Sequence, residues 1–563
     1  MLITLVSVVL YANSLNNAFH YDDFGAFVDN EAVKSLKNIP DLFKSVVSAS
    51  KVDDTGYRPL LATTFALNWR LGGLNPFGYH LVNLGTHILN GILVFLILGM
   101  LVDSSQNKAI PLVSAILFIM HPIHTEAINY IHARSSVLAT FFILLSWFLF
   151  IKYNMSAKKR FMYYLGSLLS FVAAVLTKEI GFMLPFVLVL SDFYFVSQGK
   201  INDFKSRLLK QHSLFMILLA VYLFLRFFIV KNIKGPGGSN MTLQYLLTQM
   251  SVIMHYILLI LYPINLAVER NIAMSYYIFQ PRVIISALGI LFLFFIAIKL
   301  YRRSKLISFS ILWFFIALAP VSSIIPMIIV MNSHRLYFPG VGVAIISAVL
   351  LCGLYDIGKQ SKNSVFFRKM FIVLFGLILV FYSMRILKRN GDWKDEYSLW
   401  SKNIKVSPAS FRSHNNLGSY YDRKGEDEKA MLEYEECLRL NPTSETVFNN
   451  LGIVYYRLKM YDKAISAYKS AINLNNDYND AHNNLGIVYA DLGMIKESLE
   501  EFKKVIEVNP MHMESYKNIG IIYQKLGDRK NNLYYWKKYI ELSPDTPDRE
   551  LIKKEVDKIE SNR

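Results

Sequence analysis

The stretch from Asn450 to Gly486, NLGIVYYRLKMYDKAISAYKSAINLNNDYNDAHNNLG, opens and closes on the same triplet, 34 residues apart. The triplet also stands at Asn416-Leu417-Gly418 and, as Asn518-Ile519-Gly520, once more downstream. Tyr421, Tyr455, Tyr489 and Tyr523 keep the period, as do the aromatics Trp400, Tyr434, Tyr468, Phe502 and Trp536. Pro408, Pro442, Pro510 and Pro544 close the units, with Asn476 in place of one proline. Small residues such as Gly418 and Ala430 let two helices pack closely, and the proline ends the second helix. Repetition of this kind specifies stacked helix pairs. The consensus positions read as packing, and a ligand would meet the variable residues of the concave face. Trp400 and Pro408 keep the register upstream, so a juxtamembrane half-repeat is expected over 389–408 and the full repeats over 409–563, with no flexible linker between.

A period of 34 with small, aromatic and proline positions is the tetratricopeptide pattern. Upstream of it the chemistry changes. The chain has 563 residues, 53% hydrophobic, 14% aromatic and 18% charged, with a mean hydropathy of +0.31. That argues against disorder and against one soluble domain. From Gly391 onward there are 26 basic and 28 acidic residues, whereas the first 390 hold 34 and 14. The positive excess therefore lies wholly in the apolar part, the mark of membrane topology and not of a nucleic-acid surface. Two cysteines, Cys352 and Cys437, exclude a disulfide scaffold and a cysteine-ligated zinc.

A membrane helix needs about 20 mostly apolar residues. Segments 1–13, 79–102, 109–121, 132–153, 161–177, 180–196, 212–231, 282–300, 306–330, 338–357 and 370–387 qualify as about eleven crossings, the first of them short, as though a longer span had been trimmed. The basic loops Lys152–Arg160, Lys200–Lys210, Arg302–Lys305 and Lys359–Lys369 mark the cytoplasmic side. To keep all four together, 244–267, with Gln244, Gln249, His255 and Pro263, must not cross, and it reads as a re-entrant or cavity-lining segment. The N-terminus is then inside. Residues 14–78, His121–His132, Lys178–Glu179, Lys231–Asn240, Glu269–Gln280, Asn332–Arg335 and everything after Lys388 lie outside.

Nearly every unusual polar cluster falls on that outer face. Asp22 and Asp23 are paired carboxylates just past a membrane helix, able to act as a base, bind a cation or orient a hydroxyl; the plain alternative is a cap or a solvated turn. An amphipathic stretch from Arg58 to Leu71 is suited to lying on the membrane surface. His80, Asn83 and His87 share one helix face, where interhelical hydrogen bonding competes with function. His121, His124 and Glu126 are followed by Arg134, and the first three have the ligand types for a divalent cation but no supporting ligand spacing. Lys178 and Glu179 break two apolar runs, as a site or as a hairpin-capping ion pair. His334 and Arg335 open a late helix end. Arg58, Arg134, Lys178 and Arg335 sit on the side that membrane proteins keep poor in positive charge. An anionic partner such as a lipid phosphate accounts for them. Carboxylates beside such a phosphate suggest transfer of a group from a lipid carrier to a hydroxyl acceptor.

Tyr21-Asp22-Asp23, Tyr57-Arg58-Pro59-Leu60, Asn75-Pro76-Phe77-Gly78-Tyr79-His80-Leu81-Val82-Asn83, His121-Pro122-Ile123-His124-Thr125-Glu126-Ala127, Lys178-Glu179 and Arg335-Leu336-Tyr337-Phe338-Pro339 occur in order along the chain. In this the sequence resembles the transmembrane and tetratricopeptide-repeat protein O-mannosyltransferases and their prokaryotic relatives, over nearly its whole length. The resemblance implies an all-α fold of GT-C type over residues 1–388, followed by the solenoid. It implies a polyprenyl-phosphate sugar as donor, mannose in the eukaryotic members, and a protein Ser or Thr hydroxyl as acceptor. The repeats lie on the side of the active site and are suited to holding the acceptor. Asp22 or Asp23 matches the acidic first-loop motif and would be the base. Arg58, His80, His121, His124, Glu126, Arg134, Lys178, Glu179, His334 and Arg335 would contact the donor phosphate or substrate. The first span is short and the repeats are few for the family, and a prokaryotic relative need not use mannose or a protein acceptor. A membrane-anchored repeat scaffold for envelope protein assembly is the non-enzymatic alternative. A flippase would need charges along a path through the bilayer, whereas these cluster at one face.

Overall fold

A computed structural model describes residues 1–44, 57–102, 107–226, 239–322, 329–360, 364–544 and 547–561. Among the described residues the regular elements are helices, with no strand. They form two compact units, Met1–Ser407 and Pro408–Arg563.

In the first unit the labelled helices are α1 (Leu2–Tyr11), α2 (Pro59–Gly72), α3 (Pro76–Leu101), α4 (Ile110–Met120), α5 (Thr125–Asn129), α6 (Arg134–Met155), α7 (Arg160–Thr177), α8 (Leu184–Ser191), α9 (Ser213–Phe224), α10 (Ser239–Leu261), α11 (Pro281–Leu300), α12 (Lys305–Leu318), α13 (Gly340–Gln360), α14 (Ser364–Asp392) and α15 (Glu396–Val406). Nine helices among the described residues are long and apolar enough to cross a membrane, or ten if the bent pair Ile110–Met120 and Pro122–Asn129 is one span. Two of the expected crossings, Leu2–Ser14 and Lys305–Leu318, are shorter apolar helices. Such a bundle is held by side chains that replace water for one another. Ser146 and Ser167 exchange hydroxyl bonds to each other's carbonyls across α6 and α7, at 2.7 and 2.9 Å. Trp147 reaches Ser191 at 2.7 Å and packs against Trp313.

The polar clusters gather at one end of this bundle and the basic loops at the other. Arg207 donates to Asn154 at 2.6 Å and to Asp192 at 2.9 Å, and Tyr301 packs on Phe193 and Tyr194, so three basic loops share an end. Residues 244–267, expected as a re-entrant or cavity-lining segment, begin as an unbroken helix, α10. Tyr245 donates to the Val321 carbonyl just past α12, at 3.0 Å, and the Ile260 carbonyl meets His121 at 3.1 Å. At its other terminus α12 bonds Tyr194 through Ser308, at 2.7 Å. Both ends of α10 therefore meet the polar end of the bundle. Along it Gln249 Nε2 donates to the Val330 carbonyl at 2.9 Å and the Tyr256 hydroxyl to the Asn332 carbonyl at 3.0 Å, while Gln249 Oε1 and His255 Nε2 meet no partner among the described residues. Most of the expected outer loop Lys231–Asn240 lies outside the described residues.

Helix α15, expected in the repeat register, belongs to the first unit. Asn403 accepts from the Val268 amide at 2.7 Å and donates to the Glu269 carbonyl at 3.1 Å. The second unit has four helix pairs, from Phe411–Lys424 to Arg529–Leu542, and a last helix, Pro547–Ser561. The periodic glycines have a steric cause. A Cβ on Gly418, Gly452, Gly486 or Gly520 would stand 2.9, 2.6, 2.8 or 2.1 Å from the ring of Tyr434, Tyr468, Phe502 or Trp536. Between the paired helices Gly425, Gly493 and Gly527 take φ of 71°, 74° and 73°, and Lys459 holds the same register at 60°.

Candidate active site

The first-loop carboxylates differ in surroundings. Asp23 is fully buried, and its two oxygens accept from the His20 amide at 2.9 Å and the His132 amide at 2.8 Å. Burial pushes its carboxyl up to about 8. Asp23 is thus a staple between the loop and the start of α6. Asp22 is half-buried, and one of its oxygens accepts from the Tyr130 hydroxyl at 2.6 Å. Tyr130 is itself stacked between Tyr21 and Trp393, at 4.7 and 5.8 Å. The loop is strapped to the end of α14: the Ala18 amide donates to the Lys394 carbonyl at 3.0 Å, and His20 Nε2 meets the Trp393 carbonyl at 2.9 Å. Burial holds His20 near 4, so it is neutral and Nε2–H is the donor.

A cationic cluster gathers around Lys178. Lys178 ends α7 in extended backbone, and its ammonium turns back to Ser136 Oγ on α6 at 2.7 Å. Burial lowers Lys178 to about 7; Arg58 and Arg335 press the same way, and Glu179 and Glu126 oppose them. The expected Lys178–Glu179 pair does not form. Glu179 takes Arg58 and Arg226, each at 3.0 Å. Glu126 accepts from the His334 ring Nδ1 at 2.9 Å and from its amide at 3.3 Å. Burial, then Lys178, Arg335 and His132, hold His334 well below its usual range, so the neutral ring places its proton on Nδ1 toward the carboxylate. Arg335 donates to the Ile329 and Val330 carbonyls at 2.7 and 3.3 Å. His132 lies within electrostatic reach of Asp22, Arg58 and Lys178 and links them. Asp22, Arg58, Glu126, Lys178, Glu179, His334 and Arg335, from distant parts of the chain, thereby gather at one end of the bundle.

Four expected site residues are engaged elsewhere. Arg134, fully buried, does not await an anion. It donates to Asn68 Oδ1, Asn83 Oδ1 and the Tyr79 carbonyl at 2.7, 2.8 and 2.9 Å and lies over the Phe65 ring at 4.7 Å. Its acceptors come from α2 and α3, so it ties three helices together. His80 bonds the Asn17 carbonyl at 3.0 Å. His121 accepts from the Ile123 amide at 3.2 Å while its other nitrogen meets Ile260. His124, without a partner for either ring nitrogen, is wedged among Phe118, Tyr337 and Gly340. The set His121, His124 and Glu126 does not close on a cation, and among the described residues no three His, Cys, Asp or Glu side chains are grouped to hold a metal. His132, Tyr130, Ser136 and Arg226 were not singled out by the sequence. Of these only His132 carried a signal, by closing the polar run that opens at His121.

Comparison with known proteins bears on both units. Models described as TPR repeat and tetratricopeptide repeat match residues 459–493, and 411–444 and 480–512. A protein O-mannosyl-transferase of Caenorhabditis elegans is 25% identical over 78% of this chain and 62% of its own length. Protein O-mannosyl-transferase TMTC3 of Homo sapiens is 24% identical over 76% of this chain and 50% of its own. The chain thus spans half to under two thirds of the length of these relatives. Among solved structures, the crystal structure of MamA is 28% identical, covering 28% of this chain and 92% of MamA, with a TM-score of 0.26. At about 24% identity over most of its length, the present chain is thus similar to protein O-mannosyl-transferases, and its second unit to tetratricopeptide repeats.

Proposed function

We propose that the chain is an integral-membrane glycosyltransferase that moves a hexose, mannose by analogy with its relatives, from a polyprenyl-phosphate carrier to a protein Ser or Thr hydroxyl. The observation that carries this is that Lys178 lies within electrostatic reach of Arg58, Arg335 and Glu126, and that His132 lies within reach of both Lys178 and Asp22, at the bundle end opposite the basic loops. Basic loops mark the cytoplasmic side, so the pocket faces outward. In the reaction Asp22 takes the acceptor hydroxyl proton, and the acceptor oxygen bonds to the anomeric carbon. The bond from that carbon to the carrier phosphate oxygen breaks, and its electron pair leaves with the phosphate. Lys178 and Arg335 meet the charge that develops there. Tyr130 holds the Asp22 carboxylate in place. The first unit is the catalytic domain, and the repeats supply the surface for a protein acceptor.

The test is Asp22→Asn in the full chain, with transfer from a radiolabelled polyprenyl-phosphate hexose to a Ser/Thr peptide as readout. Loss of a base costs roughly 10²–10⁴-fold in rate, with membrane insertion and donor binding kept. Normal transfer by Asp22→Asn would overturn the assignment.

A further inference from the structure

Two buried groups at the polar end of the bundle keep unpaired atoms, and each lacks what the other leaves unused. Glu126, 2% exposed, spends Oε1 on His334, while Oε2 meets no donor. Arg389, 4% exposed near the end of α14, gives Nη1 to Asp392 at 3.2 Å, while Nε and Nη2 meet no acceptor. The end of α14 packs on α5, where Asn129 donates to Asn390 Oδ1 at 2.8 Å, and Arg389 lies within electrostatic reach of Glu126 without being bonded to it. A buried polar group without hydrogen bonds is costly, so the unpaired atoms call for a third group.

The chemistry of that group follows from its two neighbours. It must donate to a carboxyl oxygen and accept from a guanidinium. A phosphate oxygen only accepts. A sugar hydroxyl does both. We infer that Glu126 and Arg389 form the sugar subsite, gripping hydroxyls of the transferred hexose and setting which hexose is accepted. Arg335 and Lys178 remain with the carrier phosphate. This rests on the glycosyltransferase reading above.

The experiment measures binding, not turnover. Purified full-length protein is titrated with bare polyprenyl phosphate and with its mannosyl, glucosyl and galactosyl forms. Wild type should bind one phosphosugar more tightly than the bare carrier. Arg389→Gln and Glu126→Gln should each weaken that phosphosugar by roughly 10–100-fold, toward the bare-carrier value, and leave the bare carrier unchanged. Arg389→Lys, which keeps the charge with fewer directed N–H groups, should fall between and covers the case in which Arg389→Gln does not fold. Equal losses for both probes would place Arg389 on the phosphate and overturn the subsite. No loss in either glutamine variant would mean that water fills the gap, and would also overturn it. Wild type that binds no carrier lipid would defeat the glycosyltransferase reading itself.

Discussion

Replacing Arg134 by alanine separates two roles that one residue could have. If the guanidinium holds a carrier phosphate, the variant folds normally and loses donor affinity. If it ties α2, α3 and α6 together, the variant loses stability first. The structure supports the second. Three hydrogen bonds of 2.7, 2.8 and 2.9 Å end at Asn68, Asn83 and Tyr79. Bonds from a charged donor contribute about 1.5–3 kcal/mol each, so roughly 5–9 kcal/mol is lost in gross. Removing a buried charge relieves several kcal/mol of desolvation in return, and the net falls near 3–5 kcal/mol. At about 2 °C per kcal/mol for a unit of this size, the melting midpoint should drop on the order of 5–10 °C. Arg134→Lys should lie between, since an ammonium keeps the charge but not the planar fork. The assay is thermal unfolding in detergent followed by size-exclusion chromatography, with carrier-lipid binding measured at low temperature on the same samples. An alanine variant that melts like wild type and no longer binds the carrier would refute the structural role.

Lys178, held near 7 from an ordinary 10.5, is charged below that pH and loses its proton as pH rises through it. Donor affinity should therefore fall above about pH 7 in wild type and stay level to about pH 9 in Lys178→Arg, which remains charged throughout; identical profiles would remove Lys178 from the anion contact. Asp23→Ala strips the acceptor from two buried amides and should cost roughly 1–3 kcal/mol of stability, whereas Asp22→Asn should leave the melting midpoint unchanged; the opposite pattern would exchange their roles. In the repeats, a methyl on Gly452 would stand 2.6 Å from the Tyr468 ring, so Gly452→Ala should destabilise that unit by about 1–3 kcal/mol, read as earlier proteolysis between the helices on heating; unaltered resistance would contradict the packing.

The repeat was legible because each unit restates the same contact, a ring against a glycine, at a fixed distance along the chain. Asp22, Lys178 and Arg335 were legible because charged side chains beside apolar runs need a reason to be there. What charge cannot tell is direction. Arg134 and Arg58 carry the same group, and one turns inward to amide oxygens while the other joins Glu179. Those partners lie tens of residues away, and no local spacing announces them. Residues 244–267 show the same limit. Gln249 marked the segment as ill suited to lipid, but nothing in its spacing announced the Val330 carbonyl that it bonds. Arg389 was hidden by position: a cation at the end of the last long apolar helix reads as an interfacial anchor.

The aromatic chain from Trp393 through Tyr130 and Tyr21 to Trp400, with the last pair 5.4 Å apart, sets a limit on how the protein can be cut. Trp393 and Trp400 come after the last long membrane helix, yet they form the floor beneath Asp22. An expression fragment ended at residue 388 would remove that floor along with the solenoid. Its inactivity would then be mistaken for a requirement for the repeats. A fragment ended after Ser407 keeps the floor, and it alone asks whether the chemistry needs the solenoid.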